Sequence, residues 1–260
     1  AFILNEIVEF KKQNPNVKII HRVNECDARK SSSDMDAILA KANEIADHTV
    51  FISHWLLEYA RKKWFDVSKP HSVIQNAADN LVFYPKNNIE TRNFSSDQPL
   101  KLVTHHWSDN WLKGFDIYQR LDEMIASGEV KDVVLAVIGR WPKTIQWKTA
   151  ITHPPCCGTE LADLLRTQDA YITASKWEPC GMHHIEGAQC GLPLLYHEDG
   201  GGIVEYGKRY GISFNDSNLK ERIDLLKSQF GDLQTKVRES RPSGTQMLAE
   251  YLKLFQAGSK

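Results

Sequence analysis

Two glutamates bracket a glycine in the run E-P-C-G-M-H-H-I-E, from Glu178 to Glu186. If a helix begins just after that glycine, Gly181, Met182 and His183 present backbone N–H groups with no partner inside the helix. Such an end holds phosphate well, because its donors are free and the helix dipole is positive there. Glu178 and Glu186 add carboxylates able to accept hydrogen bonds from sugar or ribose hydroxyls. The glycine lets a ligand approach the backbone closely. An anion cradle, hydroxyl acceptors and a close approach together suit a nucleotide-sugar.

The surrounding residues supply the elements this arrangement needs. Tyr171 to Ala174 is a short, apolar, β-rich run and is read as a buried strand. Ser175 to Gly181 is a loop punctuated by Pro179 and Gly181. Met182 to Cys190 is read as a helix, with Met182, Ile185 and Ala188 on one face and Gly191 as its stop. Leu194-Leu195-Tyr196 begins the next strand. The result is a β–loop–α–β unit whose loop lies outside the carboxyl end of a strand, where open α/β sheets bind ligands.

The rest of the chain repeats this alternation. A helix is expected over Phe2 to Gln13, a strand over Val17 to Val23, and a helix over Asp34 to Ala46 with an N-cap among Ser31 to Ser33. Then come a strand at Thr49 to Ser53, a helix at His54 to Trp64 and a short strand at Ser72 to Gln75. Asn76 to Gln98 is polar and turn-rich and reads as a linker. Beyond it lie a strand at Leu100 to Thr104, a loop at His105 to Leu112, and a helix at Phe115 to Ala126. Val133 to Ile138 is apolar throughout, as in a strand covered on both faces. A strand near Thr149 to Thr152, a helix capped by Thr159, a strand at Gly211 to Phe214 and two or three terminal helices complete the reading. Strands alternating with helices imply a doubly wound parallel sheet with right-handed crossovers.

The 260 residues can form one large or two modest domains. Apolar content of 42% and charged content of 25% are those of a globular chain. A net charge of -1 provides no global field to recruit nucleic acid or an acidic membrane. No apolar run reaches the about 18 residues of a membrane span. Five cysteines, two of them adjacent at Cys156 and Cys157, make no disulfide framework and point to a reducing, cytoplasmic setting. The histidine pairs His105-His106 and His183-His184 lack a C-x-x-C or H-E-x-x-H companion, so no metal site is read.

The Glu178 to Glu186 run resembles the E-x7-E signature of retaining glycosyltransferases of the GT-B fold, family 4 in particular. Gly191-Leu192-Pro193 and the G-G-G-I-V-E run from Gly200 to Glu205 match the next two landmarks of that family. N-A-A-D-N-L-V-F-Y-P, Asn76 to Pro85, resembles its linker, with Ala77 where glycine is usual. Lys113-Gly114-Phe115-Asp116 resembles its K-G-x-x segment.

The resemblance implies an α/β chain of GT-B type: a partial N-terminal α/β domain (1–75), a linker (76–99), and a C-terminal Rossmann-like doubly wound parallel sheet that binds nucleotide-sugar (100–240). A C-terminal helix (241–260) can cross back to the N-terminal domain. The implied activity is metal-independent transfer, with retention, from a UDP- or GDP-type nucleotide-diphosphate-sugar to a glycan, lipid or protein hydroxyl, with no cofactor. A nucleotide-sugar epimerase and a non-catalytic nucleotide-sugar-binding domain are the alternatives.

The resemblance also assigns roles. Lys113 contacts the diphosphate, and Glu186 binds ribose hydroxyls. Glu178 holds the donor sugar and is, with His21, a catalytic candidate. Cys180, Gly181, Met182 and His183 line the donor, the last three through N–H groups offered to sugar or phosphate. The family's arginine ahead of the lysine is absent, Trp107 and Ser108 standing there, so His105 or His106 is expected to substitute. Arg140, which follows a strand, is a further phosphate candidate. Pro155, Cys156 and Cys157 occupy the base-recognition loop, and Glu205 is expected to fix its own loop. His21 closes the strand I-I-H-R-V, with Arg22, Asn24 and Glu25 as weaker candidates on the same face. The resemblance covers 100–215 fully but only the last part of a first domain. Either upstream residues are absent or this is a reduced enzyme, and the chain is expected to bind donor but transfer poorly by itself.

Overall fold

Short apolar runs separated by amphipathic helices make two parallel sheets in the computed structural model, which describes residues 4–30, 32–85 and 92–257. They belong to two units, one of residues 1–75 with 246–260, the other of residues 76–245.

The first unit runs α1 (Leu4–Gln13), β1 (Ile20–Val23), α2 (Asp27–Lys30), α3 (Met35–Asn43), β2 (His48–Phe51), α4 (His54–Lys63) and β3 (His71–Val73). Its three strands are parallel in the order β1-β2-β3. Val23, Val50, Phe51, Leu56, Ala60 and Phe65 are buried, with the Phe51 and Phe65 rings edge to face at 4.9 Å. Ser53 caps α4, its Oγ accepting from the Leu56 N–H at 3.1 Å. The cap expected among Ser31 to Ser33 is not what starts α3. Asp34 stands at its N-cap without a side-chain bond, while Asp27 Oδ1 accepts from the Met35 N–H at 2.8 Å. Ser31, like Phe2 and Ile3 of the first expected helix, lies outside the described residues.

The second unit contains β4 (Leu100–His106), a 3-10 turn (Trp111–Lys113), α5 (Phe115–Ala126), β5 (Val133–Gly139), β6 (Ile151–His153), α6 (Gly158–Arg166), β7 (Ala170–Thr173), α7 (Met182–Gln189), β8 (Leu194–His197), α8 (Ile203–Tyr210), β9 (Gly211–Phe214), α9 (Leu219–Ser228) and α10 (Phe230–Ser240). Helix α11 (Gly244–Ala257) closes the chain. Six parallel strands lie in the order β6-β5-β4-β7-β8-β9. This is the Rossmann order, and it reverses between β4 and β7, where such sheets bind ligands. Leu100, Leu102, Leu135, Val137, Ile172 and Leu195 from the strands pack with Phe115, Tyr118 and Leu121 of α5.

Two sequence expectations change here. The stretch read as a linker clusters with the second unit: Ala78 and Phe83 are buried, and the Phe94 ring meets Phe230 edge to face at 5.0 Å. Strand β4 runs past the expected end at Thr104, through His105 and His106, because both pair with β5 there, His105 beside Ile138 and His106 beside Gly139.

Candidate active site

The carboxyl ends of β4 and β7 open onto a cleft of about 270 Å³. His105, His106, Lys113, Glu178, Gly181, Met182, His183 and Glu186 all line it, with Trp107 and Ser108. Three local features assemble these residues. The end of β4 supplies the histidine pair. The 3-10 turn supplies Lys113. The loop after β7 and the first turn of α7 supply the rest.

Lys113 and Glu178 form a largely buried ion pair, Nζ to Oε2 2.9 Å. The backbone fixes both partners. The Lys176 N–H donates to the Leu112 carbonyl at 3.0 Å, tying the loop after β7 to the 3-10 turn. Gly114 ends that turn with φ +86°, and a Cβ there would lie 2.3 Å from the Ala174 Cβ, so only glycine allows this approach. On the far side the Gly202 N–H donates to the Glu178 carbonyl at 2.8 Å, and Glu178 bridges Gly201 as an isolated strand pair. The G-G-x-x-E segment thus buttresses the backbone of Glu178. A buried ion pair is balanced only while both charges stay, and losing one partner typically costs about 3–5 kcal/mol.

Helix α7 begins after Gly181, which is at φ -69° and offers no capping side chain. Among the described residues no acceptor meets the N–H groups of Gly181, Met182 or His183. They are donors beside an ammonium, and both favour an anion.

Glu186 is held from behind. His105 Nε2 lies 2.8 Å from Glu186 Oε2, and His105 Nδ1 lies 3.1 Å from the Tyr171 hydroxyl. The His105 backbone N–H in turn donates to the Tyr171 oxygen at 2.8 Å. With Glu186 ionised, Nε2 donates and Nδ1 accepts from Tyr171, so one tautomer satisfies the chain. Burial drives the Tyr171 hydroxyl well above the usual phenol range, so it stays a donor. The expected stand-in for an arginine therefore serves, in the case of His105, as an orienting partner of Glu186.

His106 Nε2 meets Thr104 Oγ1 and the Tyr118 hydroxyl, each at 3.1 Å. His183 Nε2 lies 2.9 Å from Thr173 Oγ1. Burial, then the charges of His106, Lys113, His184 and His105, pushes His183 well below the ordinary histidine range, so it is neutral at pH 7. Its neighbour His184 does not line the cleft; its ring lies edge to face with Tyr206 at 5.1 Å, and burial lowers it to about 3.

The remaining candidates separate. Cys180 does not line the cleft: its thiol donates to the Tyr206 hydroxyl at 3.3 Å, and burial raises it to about 12. Tyr206 donates to the Asn76 carbonyl at 2.9 Å, so Cys180 helps close the core. Arg140 is exposed, its guanidinium 5.9 Å from the centre of the Trp107 ring. Pro155 and Cys156 border a crevice of about 10 Å³ shared with His105, His106 and Gly139, room for no more than about one water. Cys157 is exposed at the N-cap of α6. Glu205 sits in the first turn of α8. His21 belongs to the first unit, half-buried on β1, 3.3 Å from Asn43 Nδ2, and burial lowers its pKa. Arg22 beside it donates to the Tyr251 hydroxyl at 3.0 Å, Asn24 is exposed, and Glu25 pairs with Lys30 at 2.9 Å.

Sequence reading missed the second layer: Thr104, Tyr118, Tyr171 and Thr173. Nothing in their spacing marks them, since each meets a histidine only once the strands are paired. Among the described residues no group of three or more histidine, cysteine, aspartate or glutamate side chains is placed to hold a metal ion. Nor is any helix long and apolar enough to cross a membrane.

No protein-family model matches the chain, and no curated protein does. Solved structures do. A sucrose-phosphate synthase from Thermosynechococcus elongatus is 16% identical with a TM-score of 0.70, over 96% of this chain and 71% of that one. Anabaena Alr3699/HepE, in complex with UDP-glucose, is 12% identical with a TM-score of 0.72, over 92% and 72%. A glycosyltransferase from Rickettsia africae ESF-5 is 17% identical with a TM-score of 0.65, over 99% and 80%. Across such matches this chain spans from 50% to 80% of the other chain's length. At this identity the likeness establishes the fold, which is that of the GT-B glycosyltransferases.

Proposed function

We propose that this chain is a glycosyltransferase that takes its sugar from a nucleotide-diphosphate donor, with retention and without a metal ion. The observation that carries the reading is the cleft between β4 and β7, where Lys113, the open end of α7, Glu178 and Glu186 converge. Each group answers a need of the reaction. The departing diphosphate gathers negative charge, which Lys113 and the N–H groups of Gly181 to His183 are suited to neutralise. Glu186, oriented by His105, accepts from ribose hydroxyls. Glu178 accepts from the donor sugar once Lys113 turns to phosphate. His21 is the candidate of the first unit for a sugar or acceptor contact.

The fold neighbours support the same reading, since one of them holds UDP-glucose. The acceptor is a glycan, lipid or protein hydroxyl. Trp107 and Ser108 line the cleft where an arginine would otherwise stand, and this favours, as a second reading, a domain that binds a nucleotide-sugar without transferring it. Release of nucleoside diphosphate that depends on an acceptor separates the two.

Calorimetric titration with UDP and GDP tests the binding half. Glu186→Ala is expected to weaken nucleotide binding by about 1–3 kcal/mol, leaving His105 without its carboxylate and the ribose without an acceptor. An affinity equal to that of the unaltered protein would remove Glu186 from the site.

A further inference from the structure

Helix α7 has its first turn in the donor cleft and its last residue, Gln189, in a second cavity of the same unit. This cavity holds about 230 Å³ and is lined by Gln189, Arg238, Arg241, Asn80, Tyr84 and Ser243, among others, with no carboxylate among the described residues of its wall. It falls below the roughly 300 Å³ at which pockets for drug-sized ligands begin. At about 30 Å³ per water it has room for a small ion and a few further atoms.

Two guanidinium groups enter it from the end of α10. Arg241 Nη1 donates to the Arg238 carbonyl at 2.7 Å, and this contact caps the helix. Capping uses one of five N–H donors. No carboxylate pairs with Arg241 among the described residues. Burial and the nearby Arg238 charge lower the basicity of Arg241, as expected of like charges held together with water partly excluded.

Gln189 is the independent sign. It is 2% exposed, its amide N–H donates to Asn80 Oδ1, and its side-chain carbonyl has no partner among the described residues. Asn80 is already engaged by the Gly244 N–H at 3.3 Å and donates to Thr245 Oγ1 at 3.4 Å. A buried acceptor without a donor is costly unless something fills it. The occupant must therefore carry negative charge for the arginines and an O–H for Gln189.

We propose that this cavity binds a phosphate group, as the free hydrogen phosphate ion or as a small phosphate monoester, separately from the donor cleft. The ion's P–O–H meets Gln189 Oε1, and its charged oxygens meet the forks of Arg238 and Arg241, the geometry that suits guanidinium best. An ester leaves the same charged oxygens and turns its own hydroxyl to Gln189. The site does not depend on the glycosyltransferase reading.

The test is calorimetry on the full chain with inorganic phosphate and, in a second arm, glycerol 3-phosphate. Saturable binding of millimolar strength or better is expected, falling at least tenfold in Arg241→Gln. It should persist in the double variant Lys113→Met, Glu178→Gln, which removes the ion pair of the donor cleft without leaving one of its two charges alone. Whichever ligand binds more tightly identifies the form the site takes. Absence of saturable binding in both arms overturns the proposal, as does binding lost in the double variant yet retained in Arg241→Gln. Should Arg241→Gln not fold, phenylglyoxal labelling of the unaltered protein, read by mass spectrometry, decides. Phosphate is expected to protect Arg238 and Arg241, and equal labelling with and without phosphate overturns the site.

Discussion

His183 and His184 are adjacent, yet only one of them faces the cleft. His183 lines it and finds Thr173, while His184 is fully buried against Tyr206, neither ring nitrogen partnered among the described residues. His184 keeps its proton off down to about pH 3, whereas an unfolded histidine takes one near 6.5. Between those values the unfolded state binds more protons than the native one. Stability tied to His184 is therefore whole above about pH 6.5 and drains as the pH falls, at about 1.4 kcal/mol per pH unit. Replacing the ring with an apolar side chain of similar bulk removes both the unpaired nitrogens and this drain. His184→Leu should stabilise the protein more at pH 5 than at pH 8, by about 2 kcal/mol. Urea unfolding at the two pH values measures it. The same gain at both would mean that His184 finds a proton partner in the folded state.

At the scale of the element, α7 does its work through how it starts. Gly181 has an ordinary backbone angle, so its role is steric: a Cβ there would lie 2.4 Å from His183 Cε1 and 3.2 Å from the Glu178 carboxyl carbon. Gly181→Ala must push the ring or the carboxylate aside, an overpacking that typically costs about 1–3 kcal/mol. The expected outcome is a folded protein of lower melting temperature that binds UDP at least tenfold more weakly. Binding at full strength would show that the helix end tolerates a side chain, and the close-approach argument would go with it. The same element shows what a sequence discloses. Its start, its glycine stop and the glutamate spacing are local, and the reading over Met182 to Cys190 differs from the helix by one residue. Helix α5 was legible for the same reason, since Phe115, Tyr118 and Leu121 recur on one face and all are buried. Helix α8 was hidden because its residues read as a glycine landmark rather than as a period, although Ile203, Tyr206 and Tyr210 are all buried. The extent of β4 was illegible because two histidines look like loop. They are buried only because hydroxyls from Tyr118 and Tyr171, 12 and 66 positions away, satisfy them.

At the scale of the whole molecule the question is how an almost neutral chain, net charge -1, would handle the strongly anionic leaving group of the proposed transfer. Long-range attraction is unavailable, so the positive charge must be local and fixed in place. The cleft concentrates it: one full charge on Lys113 and about half of an elementary charge at the open end of α7. The helix end is preorganised by its own hydrogen bonds, and Lys113 is held beside it by the 2.9 Å contact with Glu178 until it turns to phosphate. Charge fixed in a partly dry site stabilises a developing anion without reorganising as the bond breaks. If this is the source of the stabilisation, a divalent ion is not needed. Transfer by the full chain from a UDP- or GDP-sugar, followed as release of nucleoside diphosphate, should then be unchanged by EDTA and by added magnesium or manganese. Loss of turnover with EDTA, restored by either ion, would shift the task of neutralising the diphosphate from Lys113 and α7 to a bound metal.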